Sequence, residues 1–146
     1  LLDYKAMRKD TMAALEKTGV KIPNIHNTIE KMSGGQRQCV AIARTASFHS
    51  KLTIMDEPTA ALGVQETVQV ENIIRQLKEQ GEPLILVSHN MRQVFDLVDR
   101  IVVFRRGAIC ANLDIKSGNY TGEDVVAYIT GAKTGAEYEG AARLIY

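Results

Sequence analysis

The 146-residue sequence contains no tryptophan, 5% aromatic residues, two cysteines and three prolines. So few rings argue against a surface that stacks bases or sugars. The two cysteines, Cys39 and Cys110, permit at most one disulfide, so buried free thiols in a reducing compartment are the expectation. A formal net charge of +1 gives no electrostatic reason to expect nucleic acid or an acidic membrane surface as partner. The longest apolar runs, such as "PLILVS" and "RIVVF", are far too short to span a bilayer. No basic-then-apolar leader opens the chain, so a secretory signal is not expected. What is present is 45% hydrophobic and 24% charged residues, enough apolar material for one soluble globular core.

Residues 5–18, "KAMRKDTMAALEKT", favour helix, and Gly19 suits a left-handed stop behind them. "KIPNIHNTIE" reads as a linker in which Pro23 breaks any helix. Ser33 is a good N-cap for the next helix, whose apolar side is expected to carry Val40, Ala43 and Phe48. "LTIMD" is a short strand, and Pro58 pushes Glu57 out of helical geometry toward an extended conformation. In "QETVQVENIIRQLKEQ", Val70, Ile73, Ile74 and Leu77 follow an i, i+3, i+4, i+7 pattern, which predicts an amphipathic helix closed by Gly81. "PLILVS" reads as a strand buried on both faces of a parallel sheet. "MRQVFDLVD" places Val94, Leu97 and Val98 on one helical side. "RIVVF" and "AICANL" flank Arg105-Arg106-Gly107 and predict an antiparallel hairpin. A last helix runs from its N-cap Thr121 to Ile129, and after Gly131 the composition turns to that of a mobile tail. The alternation of strands and helices predicts an α/β fold with a mostly parallel sheet.

In open α/β sheets, ligands sit beyond the carboxyl ends of the parallel strands. Two strands here end in reactive side chains, one in Asp56-Glu57 and one in Ser88-His89. Adjacent strand residues point to opposite sides, so one carboxylate can take a metal while the other handles a water. That is the division of labour in metal-assisted phosphoryl transfer. The plain alternative is a polar strand end before a proline turn. For His89 the plain alternative is a loop residue beside a helix capped by Ser88 or Asn90. His26 and His49 fall at no strand end and are read as ordinary surface residues. "SGGQ" can be a simple helix start. Its glycines also let backbone approach an anion, which suits the exposed N–H groups of a first turn.

Taken together and in order, "MSGGQRQCVAIART", "LTIMDEPTAALG" and "LILVSHN" closely resemble the nucleotide-binding domain of ATP-binding cassette (ABC) proteins, over residues 25–131. Within that family, "PTAALGVQE", "SHNM", "VFDLVDRIVVFRRG" and "VVAYITGA" are similar to ATP-binding subunits of bacterial importers of ribose, xylose and fructose type. The resemblance implies a P-loop NTPase-like (RecA-like) fold with part of the ABC helical subdomain. Residues 1–50 would be the partial subdomain with the signature helix, 51–131 the C-terminal part of the ATPase core, and 132–146 a flexible tail. It implies ATP and Mg²⁺ as cofactors, with Asp56 holding the metal through water and Glu57 as the base for the attacking water. His89 would contact the γ-phosphate, and Ser33, Gly34, Gly35 and Gln36 would meet a nucleotide held by a second subunit. Ala60 to Gly63 would be the loop that crosses between subunits, although the family usually has aspartate where this chain has Gly63. Implied partners are a second nucleotide-binding subunit, transmembrane permease subunits and a periplasmic or extracellular sugar-binding protein, with no nucleic acid. The implied location is the cytoplasmic face of the plasma membrane.

No G-x-x-x-x-G-K-[S/T] pattern occurs in the sequence. "GAKTG" at 131–135 lacks the upstream glycine and follows a helix, whereas a phosphate loop follows a strand and opens a helix. The expectation is therefore the C-terminal half of a longer ATPase, inactive by itself. Two other functions stay open: an ABC ATPase of translation or repair, and a non-catalytic interaction fragment.

Overall fold

The computed structural model describes residues 2–22, 24–47 and 50–134. Pro23, Phe48, His49 and the stretch 135–146 lie outside the described residues, and with them most of the expected tail. Contacts divide the chain into two compact units, Leu1–Ser88 and His89–Tyr146.

The first unit opens with helix α1 (Tyr4–Lys17), where Asp3 accepts hydrogen bonds from the Lys5 and Ala6 N–H groups, both at 3.0 Å. Gly19 ends it at φ +65°, with the Gly19 N–H donating to Glu16 O and the Val20 N–H to Leu15 O. This paired closure needs a left-handed residue, and it brings buried Leu15 and Val20 together. After a single 3₁₀ turn (Ile29–Lys31) comes helix α2 (Gly34–Ser47). Its buried stripe is Cys39, Ile42 and Ala43, so Val40 falls at the edge of the apolar side rather than at its centre.

Strand β1 (Thr53–Asp56) pairs in parallel with β2 (Leu84–Val87), Thr53 opposite Leu84 and Asp56 opposite Val87. Between them runs helix α3 (Val64–Glu79), which buries the expected Val70, Ile73, Ile74 and Leu77 and closes at Gly81, φ +78°. It also buries Glu71, whose carboxylate lies 3.5 Å from Arg75 one turn on. The sequence reading of β2 as buried on both faces does not hold. Ile85 and Val87 are exposed, as is Ile54 beside them on β1, while Leu84 and Leu86 are half-buried. A strand buried on both sides needs a covering layer on each, and among the described residues this pair is covered on one.

The second unit contains helix α4 (Met91–Leu97), hairpin β3 (Arg100–Arg105) and β4 (Ala108–Asp114), and helix α5 (Gly122–Thr130). Asn90 Oδ1 caps α4 by accepting from the Gln93 N–H at 3.2 Å, and Val98 sits just past the end of that helix. The hairpin turn is Arg106-Gly107, with φ +50° and +76°; two successive positive φ values match the strand twist of a tight hairpin. Inward residues Ile101, Val103, Ala111 and Leu113 meet Val94, Val125 and Tyr128 in one core. The expected disulfide-free state is observed, with Cys39 buried but Cys110 only half-buried. Burial pushes the Cys39 thiol upward, and the nearby Glu66 carboxylate adds to this against an opposing backbone hydrogen bond.

Helix α5 explains the "GAKTG" stretch that superficially imitates a phosphate loop. Thr121 and Asp124 form a reciprocal capping box, and Lys133 folds back so that its Nζ lies 2.6 Å from Asp124 Oδ1. Lys133 is thus committed to its own helix. The Lys133 hydrogen bond, followed by those from the Thr121 N–H and hydroxyl, holds Asp124 at about 2, below its ordinary 3.8. A depressed carboxylate contributes stability that is complete above the ordinary value and lost as pH falls through the folded one. Amide protection of α5 is therefore expected to fall between about pH 4 and 2 in the natural chain, and Asp124→Asn should remove that step. An unchanged step in the variant would refute the assignment.

Candidate active site

The signature stretch is built by local hydrogen bonding. Ser33 Oγ accepts from the Gln36 N–H at 3.2 Å, and Gln36 Oε1 accepts from the Ser33 N–H at 3.0 Å. This Ser-x-x-Gln box fixes the start of α2. Arg37 adds a guanidinium hydrogen bond to Met32 O at 2.9 Å, closing the turn from the other side. Ser33 and Gly34 are exposed, and with the Gln36 N–H taken by Ser33, the Gly34 and Gly35 N–H groups have no acceptor within the helix. They form a positive end suited to an anion.

The two glycines differ. A Cβ at Gly34 would meet nothing within 4 Å, whereas one at Gly35 would collide with the side chain of Glu66 on α3. Gly34 therefore has open space beside it, while Gly35 is required by packing within the unit. Gln36 differs from its sequence reading in one respect: its carbonyl end is committed to the cap, which leaves its Nε2 end for a ligand.

At the carboxyl end of β1, Asp56 is exposed and Glu57 half-buried. The Glu57 N–H donates to Val87 O at 2.8 Å, so the ladder continues one residue beyond the strand. Glu57 is not extended. It sits at φ +46°, in the left-handed region, because Glu57 O also accepts from the Ala60 N–H at 3.0 Å and closes a turn. A non-glycine residue held there is strained by about 1–2 kcal/mol. Glu57→Gly should consequently be about 1 kcal/mol more stable than Glu57→Ala in urea titration. Equal midpoints would show that the turn relaxes.

A cleft of about 170 Å³ runs between α2 (Gln38, Ala41, Thr45) and the end of β1 (Ile54, Asp56, Pro58). A larger cavity of about 610 Å³ lies beside the end of α1 and carries none of the candidate residues, so size does not mark the site. His89 is exposed and opens the second unit, immediately before the Asn90 cap. His26 is exposed in the linker turn, as expected of a surface residue.

The donors at the β1 end decide what metal is chemically suitable. Among the described residues no group of three or more His, Cys, Asp or Glu side chains could enclose an ion. A single exposed carboxylate suits Mg²⁺ held mainly by phosphate oxygens and water, and does not suit a dedicated protein cage.

A parallel strand pair with Asp-Glu at the end of β1, an interposed helix and a glycine-bearing helix start make an α/β arrangement of the P-loop NTPase type. Residues 3–60 match the model of the family described as ABC transporter. The chain is 48% identical over 134 residues to the fructose import ATP-binding protein FrcA of Rhizobium meliloti, spanning 90% of this chain and 50% of that one. It is 42% identical over 108 residues to the xylose/arabinose import ATP-binding protein XylG of Sulfolobus acidocaldarius, spanning 74% and 43%. Its fold matches that of cbiO1 from Clostridium perfringens, part of the ABC transporter complex cbiONQ. That match has a TM-score of 0.66 at 26% identity, over 89% of this chain and 51% of that one. The chain is thus related to the ATP-binding cassettes of ABC transporters, and its relatives include sugar-import subunits. It spans half or less of the length of those curated relatives.

Three features of the site were missing from the sequence reading: the return bond from Gln36, the left-handed Glu57, and Glu66 over Gly35. The Ser-x-x-Gln spacing could have revealed the first. The other two have no local signal.

Proposed function

We propose that this chain supplies the signature, magnesium carboxylate, base and switch histidine of an ATP-hydrolysing subunit that drives sugar import. The observation that carries this reading is the joint occurrence of the three motifs in order with 48% identity to a fructose-import subunit. On this reading Asp56 would hold Mg²⁺ through water, an ion that would supply neutralisation of the phosphate charge. Glu57 accepts the proton of the attacking water; its backbone tie to Val87 sets where its carboxylate starts. His89 contacts the γ-phosphate. Ser33, Gly34, Gly35 and the free end of Gln36 meet the phosphate of a nucleotide seated on a second subunit, through the open first turn of α2.

Residues 1–50 then belong to a helical subdomain and 51–131 to an ATPase core. This is a division by kinship, distinct from the division by compactness at Ser88. The partners are a second nucleotide-binding subunit, permease subunits and an extracytoplasmic sugar-binding protein, with the chain on the cytoplasmic side. No helix among the described residues is long and apolar enough to cross a membrane.

Affinity capture tests the assignment. The tagged chain is expected to retain a monosaccharide permease pair from detergent extracts and to leave ribosomes and DNA behind. Retention of ribosomes without permease would replace transport by a role in translation.

A further inference from the structure

We infer that Glu66 is a positioning residue that holds the signature turn against the turn after β1. Three observations converge on this side chain. A Cβ on Gly35 would run into the Glu66 Cβ and Cγ, so the Glu66 stem lies directly on the signature backbone. A Cβ on Gly63 would lie 2.5 Å from Glu66 Oε2, so the carboxylate curls back over the residue that begins α3. Cys39, one turn further along α2, feels the same carboxylate.

The chemistry accounts for the arrangement. Gly63 is the N-cap of α3 but has no side chain to cap with, which leaves Glu66 as the third residue of the helix. A carboxylate there is favoured by the positive helix end, so it stays over Gly63 rather than swinging into water. Its two methylenes are then delivered to Gly35, and only glycine leaves room for them. One side chain thus touches both the residue at the start of the signature helix and the loop that leaves the Asp56-Glu57 strand end. A displacement of either turn is passed to the other through a short, packed stem. The inference rests on the proposed function only for its purpose, which is to aim the Ser33–Gln36 turn; the contact itself is independent of nucleotide.

The test reads hydrogen exchange at the Ser33, Gln36 and Arg37 amides in the 146-residue chain, each of which is hydrogen-bonded in this turn. Glu66→Ala is expected to speed exchange at these three by about tenfold while leaving Ile74 and Leu77 within twofold. Tenfold corresponds to about 1.4 kcal/mol of local opening. Glu66→Gln keeps the stem and should stay within threefold of the natural chain. Gly35→Ala should loosen the same amides, and the double variant Gly35→Ala with Glu66→Ala should loosen them by less than the sum of the two, because the collision with Cγ is removed while that with Cβ stays. Additive effects of the two substitutions, no effect of Glu66→Ala, or faster exchange throughout the unit would each overturn the inference. A failed permease capture would count against the proposed function alone, since this readout contains no nucleotide or partner.

Discussion

Incubated with MgATP, the 146-residue chain is expected to release no phosphate above the buffer rate. On the proposed reading its residues act on a nucleotide already held, and the 146-residue sequence contains no phosphate-loop pattern to hold one. Such a loop surrounds the β- and γ-phosphates with backbone N–H groups and a lysine. Hydrogen bonds to charged groups contribute about 1.5–3 kcal/mol each. A site short of three of them binds roughly 10³-fold more weakly, or worse. Lys133 is no substitute, being bound to Asp124 at the far end of α5. Calorimetry with MgATP should therefore show no saturable binding at micromolar concentration, and Glu57→Gln should change nothing in the phosphate-release assay. Mg-dependent turnover that disappears in Glu57→Gln would refute this. A general base is worth about 10²–10⁴ in rate, so the contrast would be unmistakable.

Replacing Leu113 by alanine is expected to cost the second unit about 2–5 kcal/mol. Leu113 is 0% exposed, on the inward face of β4, and it packs in the core shared by Val103, Ala111, Val125 and Tyr128. The loss combines transfer of the removed atoms with the cavity left behind, because strands fixed by a hairpin ladder and a packed helix close over it only in part. Val102, on the opposite face of β3 and 42% exposed, is the control; its alanine variant should shift stability by less than about 0.5 kcal/mol. Urea titration followed by tyrosine fluorescence distinguishes them. Similar midpoints for both variants would mean that the hairpin core is not what holds this unit.

Much of the architecture is legible because it is locally encoded. The stops at Gly19 and Gly81 both take left-handed φ, as their positions after helix-favouring stretches require. The Val70, Ile73, Ile74, Leu77 stripe is buried as a 3.6-residue period demands. The Arg106-Gly107 turn lies between two alternating strands and closes as a hairpin. Thr121 begins α5, as a hydroxyl before an acidic first turn should. The order of the three motifs was also visible, and with it the kinship that the fold and relatives bear out.

Other features depend on atoms far apart in the chain. Proline alone would leave Glu57 extended, yet its N–H is taken by Val87, thirty positions away, and a turn bond to Ala60 completes the left-handed geometry. The apolar run of β2 is the same whether one face or two are covered, so its exposure is decided by which layers pack against the sheet. The two signature glycines are identical as letters, and only the approach of α3 separates an open Gly34 from a Gly35 pressed by Glu66. By itself the sequence determined the helices, the hairpin, the motif order and the chemical types at the strand ends, because caps, periods and turn residues act within a few positions. Tertiary structure alone decided the backbone of Glu57, the covered face of the sheet and the use made of each glycine, because each depends on contacts between segments that meet only after the chain has folded.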